Sequence, residues 1–158
     1  MKCWPALLLL GAVLIFSAIG ETVAKQGSNS DTVRFVAIDI YLDSAERVAA
    51  WQFEMDERNG MMTVVGVENG SSNAFSEAPY FDRDAVRLGD ADRIIVADYS
   101  LEAESTLPAG RFRLATIHLR LTGDTAPDFQ LTLIAAASAD GHAVSASISM
   151  DQNTGSKE

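Results

Sequence analysis

The sequence is poor in the residues that carry chemistry. It has one cysteine, two histidines and four prolines in 158 residues. The cysteine, Cys3, precedes the apolar start of the chain, so a domain that follows that start has no thiol and no disulfide. It must be held by its core alone, which about 120 residues from Asp31 to Met150 are enough to build. A lipid-attachment cysteine after the apolar run is also missing. His118 and His142 have no Cys nearby and no His-x-His spacing, whereas zinc needs three or four converging ligands. No nucleophile elbow is present. Asn69-Gly70-Ser71-Ser72-Asn73 lacks that pattern, and acidic pairs alone do not make a hydrolase. Long helical periodicity and internal repeats are absent too. A non-enzymatic protein follows.

Basic residues are scarce. Twelve Lys and Arg against 22 Asp and Glu give a formal charge of −10, and losing Lys2 with a leader makes it −11. Such a chain is a poor nucleic-acid ligand, because phosphate contacts need clustered cations. It is equally unsuited to anionic membranes, and a membrane role is left only for an uncleaved leader. Acidity favours solubility, or a basic or calcium-rich partner.

The N-terminus is the one long apolar run. Met1-Lys2 is followed by apolar residues from Cys3 to Gly20, closed by Ala18-Ile19-Gly20 and again by Thr22-Val23-Ala24. This is the layout of a secretory signal peptide over residues 1–20, cleaved near 20 or 24. The alternative is an uncleaved anchor, since the run approaches the roughly 18 residues of a spanning helix. A secreted or periplasmic location is expected. Residues 21–32 read as a linker, 33–150 as the domain, and 151–158 as a disordered polar tail.

Period-two alternation dominates the domain. In Val48–Met55, Ala49, Trp51, Phe53 and Met55 share one face and Val48, Ala50, Gln52 and Glu54 the other, the mark of a half-buried strand. Asn59-Gly60 and the β-rich run Met61–Val67 then suggest a hairpin. Val33–Leu42 places Val36, Ile38, Ile40 and Leu42 on one side. Arg93–Ser100 alternates Ile95, Ala97 and Tyr99 with Ile94, Val96 and Asp98. Phe112–Leu121 has an apolar face of Ala115, Ile117, Leu119 and Leu121. Phe129–Ala136 shows Phe129, Leu131, Leu133 and Ala135, and the last strand Val144, Ala146, Ile148 and Met150. About seven to nine strands at this spacing predict an all-β fold, a single antiparallel β-sandwich domain.

Glu68–Pro79 is a polar loop, and Tyr80–Val86 could form a short helical turn. Tyr80 and Phe81 lie beside Asp82 and Asp84. Exposed aromatics next to carboxylates can stack on a sugar while the acids hold its hydroxyls. The same residues can instead plug one end of the sandwich. Asp82-Arg83-Asp84 and Asp90-Ala91-Asp92 could supply some of the six to eight oxygens calcium needs, though without EF-hand spacing; surface turns are the other reading, and no cofactor is required.

Several segments carry a family resemblance. They are Val36–Leu42, Val48–Met55, Val64–Gly70, Arg93–Ala97, Leu107-Pro108-Ala109-Gly110 and Leu114–Leu121. In that order they resemble a cohesin-type domain, of the bacterial carbohydrate-binding-module sandwiches, over about Val33 to Met150. The resemblance implies jelly-roll topology and recognition of a protein partner, such as a dockerin module on a polysaccharide-degrading enzyme. Direct carbohydrate binding and a stand-alone envelope structural role are the alternatives. The single copy departs from scaffold proteins, and no dockerin-contact residue is assigned here.

Trp51 belongs to the core in this reading. Trp51→Ala should therefore cost about 3–5 kcal/mol in denaturant unfolding, while a loss below about 1 kcal/mol would place the ring at the surface.

Overall fold

The computed structural model describes residues 32–153; the expected leader and linker up to Asp31 and the chain beyond Asn153 lie outside them. Seven strands form two antiparallel sheets. They are β1 (Val33–Ser44), β2 (Ala50–Glu57), β3 (Met62–Asn69), β4 (Arg93–Tyr99), β5 (Gly110–Thr122), β6 (Phe129–Ala137) and β7 (Ser147–Asn153). One sheet has the order β3-β5-β1-β7 and the other β4-β2-β6. The odd strands therefore form one sheet and the even strands the other. Every connection crosses between them, and the alternation of each strand points an apolar face into the space between the sheets.

This topology overturns the expected hairpin. β2 pairs with β4 and β6, while β3 pairs with β5. Asn59-Gly60 does reverse the chain, with Gly60 at φ +68°. The reversal serves a sheet crossing, because the apolar positions Met62 and Val64 are buried only on the opposing sheet. A buried carboxylate, Glu57, holds the corner. Its Oε2 accepts from the N–H groups of Asn59 (3.1 Å) and Met61 (2.9 Å), and its Oε1 from Asp128 (3.0 Å). One side chain thus ties the β2–β3 crossing to the start of β6.

The core is the one that alternation points to, with its phase changed at bulges. Ile38, Ile40, Leu42, Trp51, Phe53, Met55, Ile117, Leu119 and Leu121 are buried. On β5 the pairing jumps from Ala115 to Arg113 opposite Ile40 and Tyr41, so Leu114 is the extra residue of a bulge. Phe112 and Leu114 consequently join Ala115 in the core from the other phase. A bulge on β6 skips Ile134, so Ala136 is buried and Ala135, expected inside, is exposed. The last strand continues to Asn153, with Asp151, Gln152 and Asn153 opposite Asp39, Ile38 and Ala37. Residues 151–153 are thus strand rather than the start of the expected tail.

Aromatic side chains close one end. Trp51 stacks with Phe53 at 5.8 Å between ring centroids and meets Phe75 edge-on at 5.9 Å. Phe75 stacks on Phe112 at 6.4 Å. Phe75 sits in a short 3-10 turn, Asn73–Phe75, whose first turn is capped by Ser72. The loop leading there is latched to β5. Ser71 N–H donates to Arg113 O (2.9 Å), and Arg113 N–H donates to Ser71 Oγ (3.1 Å). Gly70 is required at this crossing, since a Cβ would lie 2.2 Å from Arg113 O.

Burial alone would push the Glu57 carboxyl up, but the N–H groups of Asp128, Met61 and Asn59 outweigh it and hold it below the glutamate value of 4.5. With the folded value depressed, the stabilisation is complete above pH 4.5 and is lost as pH falls through the folded value. Glu57→Gln should cost about 1.5–3 kcal/mol near neutral pH, and the gap to the wild type should close in acid. Urea midpoints at about pH 7 and about pH 3 check this; equal midpoints near pH 7 would refute it.

Candidate binding surface

The two outer faces of the sandwich differ in charge pairing. On the β3-β5-β1-β7 sheet most charged side chains have partners within the molecule, while Asp43, Phe35 and Val65 are exposed. Arg111 contacts Asp151 at 2.7 Å and lies 3.7 Å over the Tyr41 ring. Arg113 and the Thr116 hydroxyl both engage the buried Asp39. His118 lies 2.9 Å from Glu68, and Arg120 donates to Thr63. The β4-β2-β6 sheet has an Arg93–Glu54 pair (3.1 Å) at one end of its outer face. Towards the other end Ala50, Gln52, Ala97, Tyr99, Ala135 and Ala137 surround a shallow cavity of about 250 Å³ that the buried Asp98 also borders. Ile95, Tyr99, Leu101 and Ile134 are exposed large apolar or aromatic residues of this half of the molecule.

Tyr80 extends this surface. Its N–H donates to Ala97 O (2.8 Å) and its carbonyl accepts from Ala97 N–H (3.0 Å), a single-residue strand beside β4. Pro79 before it is buried, favours the extended backbone that this bridge needs, and has no N–H to leave unpaired. The bridge brings the Tyr80 ring onto Tyr99, 5.9 Å between centroids and within 10° of parallel. Both rings are more than half exposed, at 59% and 54%. Hydrogen bonding to Tyr99 raises the Tyr80 hydroxyl above the ordinary tyrosine value, and the charges of Glu77 and Asp98 add to this.

Beside the tyrosines is a second cavity, about 310 Å³, at the aromatic end of the sandwich. Phe75, Tyr80, Tyr99 and Leu101 line it together with Glu77, Asp98 and Glu102. Asp98 follows Ile94 and Val96 on the inward register of β4 and is only 8% exposed. Its Oδ1 accepts from the Tyr99 N–H at 2.8 Å. Burial pushes its carboxyl above the aspartate value; the Tyr99 N–H opposes this, and the Glu77 charge reinforces it.

The residues singled out from the sequence do not form one cluster. Tyr80 lines both cavities just described. Phe81 packs against the core and has the Arg83 guanidinium 5.4 Å from its ring centre. Asp82 caps the helix α1 (Arg83–Leu88), its Oδ1 accepting from Ala85 N–H at 2.9 Å. Asp84 pairs with Arg87 at 3.2 Å on the helix surface. Asp82 borders a different cavity, with Asp90 and Asp92. Among the described residues no three acidic, His or Cys side chains converge as a metal would require. Tyr99 and Asp98 were missed in the sequence. The available signal was Arg93-Ile94-Ile95-Val96-Ala97-Asp98-Tyr99, a strand apolar on both faces where a solvated outer face should be polar.

One cluster imitates a hydrolytic triad. Asp140 lies between Ser138, whose hydroxyl donates to it, and His142, at 3.3 Å. The Ser138 hydrogen bond holds the Asp140 carboxyl below its usual value. The acid, not the imidazole, occupies the middle, so the hydroxyl meets a carboxylate and not the imidazole base that the Ser-His-Asp order needs.

Comparison with known proteins supports the fold reading. The chain resembles a non-cellulosomal cohesin from the hyperthermophilic archaeon Archaeoglobus fulgidus, with a TM-score of 0.50 and 16% identity over 73% of this chain and 75% of that one. It also resembles a chain of a type I cohesin–dockerin complex from Clostridium thermocellum, with a TM-score of 0.50 and 15% identity over 71% and 82%. The protein thus has a cohesin-like β-sandwich fold. No family model matches the sequence, and no curated protein matches it.

The raised Asp98 carboxyl has the opposite pH signature to Glu57. An acid with a raised folded value loses stability as pH rises from 3.8 through that value. Asp98→Asn keeps an acceptor for the Tyr99 N–H and removes the buried charge. It should match the wild type in acid and equal or exceed its stability at about pH 8, by urea unfolding. A variant clearly less stable than the wild type at about pH 8 would disprove this.

Proposed function

We propose that the chain is an exported, non-catalytic recognition module that binds a protein partner through the outer face of the β4-β2-β6 sheet and Tyr80. The observation that carries the reading is the contrast between the faces: on one most charges are paired within the molecule, while the centre of the other is built from small residues and two stacked, exposed tyrosines. A flat surface with exposed tyrosines and few fixed charges costs little to desolvate, which suits a protein interface. The cohesin-like fold supports a protein partner, since one similar structure comes from a cohesin–dockerin complex. The non-cellulosomal origin of the other makes a dockerin-bearing enzyme one candidate within a wider class. The leader-like N-terminus supports export.

The test uses immobilised protein and the secreted proteins of the source organism. Ala97→Arg puts an unpaired charge at the centre of the surface and should weaken capture at least about 30-fold. Val65→Arg, on the opposite sheet, should leave capture unchanged. Equal loss with both variants, or with neither, would reject this face. Retardation in polysaccharide gels, abolished by Tyr80→Ala, would replace the protein partner with a glycan.

A further inference from the structure

We propose that the cavity between Tyr80, Tyr99 and Asp98 receives the guanidinium of an arginine side chain carried by the partner that docks on the β4-β2-β6 face; the proposal rests on the reading above. Three carboxylates, Glu77, Asp98 and Glu102, line a cavity that also holds the rings of Phe75, Tyr80 and Tyr99 and the polar Ser76 and Ser100. None of the three has an ion-pair partner among the described residues. None of the chain's own arginines lines the space.

Asp98 is the second observation. It is more than nine-tenths buried and borders the cavity, and among the described residues its single hydrogen bond is from the Tyr99 N–H. A carboxylate can accept about four. A buried charge with so little compensation is costly unless a counter-charge arrives. Glu57 shows the contrast, with three N–H donors for the same group.

Guanidinium fits better than the other candidates. Its planar fork can meet the carboxylates while its face lies on a tyrosine ring. An ammonium offers charge without the plane, and a neutral sugar hydroxyl leaves the Asp98 charge uncompensated. The chain's formal charge of −10 would draw a basic partner towards the molecule before contact.

The test needs no identified partner. N-acetyl-arginine amide is titrated into the ¹⁵N-labelled protein, with N-acetyl-citrulline amide as the neutral isostere. The arginine compound should shift the amide resonances of Asp98, Tyr99 and Ser100 and saturate at roughly millimolar concentration. Citrulline should leave them in place, and Asp98→Asn should weaken the arginine effect at least about fivefold. Equal shifts from both compounds, or no shift at these amides, would overturn the proposal. If arginine gives no shift while Ala97→Arg still abolishes partner capture, the cavity assignment falls and the docking face stands. If arginine is seated but Ala97→Arg leaves capture intact, the cavity stands as a cation site and the docking face falls.

Discussion

The edge contact between Trp51 and Phe75 joins the core to the candidate surface. Trp51 belongs to β2, the middle strand of its sheet, and Phe112, on the other side of Phe75, to β5 of the opposing sheet. Phe75 therefore bridges the two layers at the open end of the sandwich. The loop that carries it is pinned on one side at Gly70 and Ser71 against the β5 bulge. On the other side it leads through buried Pro79 to the Tyr80–Ala97 bridge. The ring pair Tyr80–Tyr99 and the acidic cavity thus stand on the same aromatic packing that closes the core. Loosening that packing would disturb the surface together with the core.

Two buried carboxylates show how environment decides the role of one chemical group. Glu57 and Asp98 lie towards opposite ends of the β2–β4 pair, where Asp56 faces Arg93 and Trp51 faces Asp98. Glu57 is surrounded by backbone donors and fixes a chain crossing. Asp98 has a single donor and borders a cavity with two further acids. The first arrangement stabilises the ionised form and serves the fold. The second does the reverse and favours the protonated form.

Much of the fold was legible because alternation is a local property. Trp51, Phe53 and Met55 face inward as their period requires, and so do Ile38, Ile40 and Leu42. The errors fall where a long-range constraint shifts the phase. Ala135 and Ala136 exchanged places because of a bulge at Ile134, which is defined by its partner strand and leaves no mark in the sequence. Asn59-Gly60 signalled a reversal and could not say whether the next strand joins the same sheet. The surface was half legible for the same reason. Tyr80 stood out as a loop aromatic, yet its partner Tyr99 lies 19 positions away and meets it only through the Ala97 bridge. Phe81, Asp82 and Asp84 looked adjacent to Tyr80 until helix capping turned them elsewhere.

The strict alternation of strands between sheets has a consequence for how the chain is made. No strand pairs with its immediate neighbour in sequence, so no hairpin can form early and wait for the rest. β1 lies between β5 and β7, and β7 is made more than 100 residues after it. A nascent chain can complete neither layer from its first half, and non-local closure of this kind is slow. The domain therefore stays open until its later strands are made, dependent on its acidity to remain dispersed. It then gains its structure late and nearly at once.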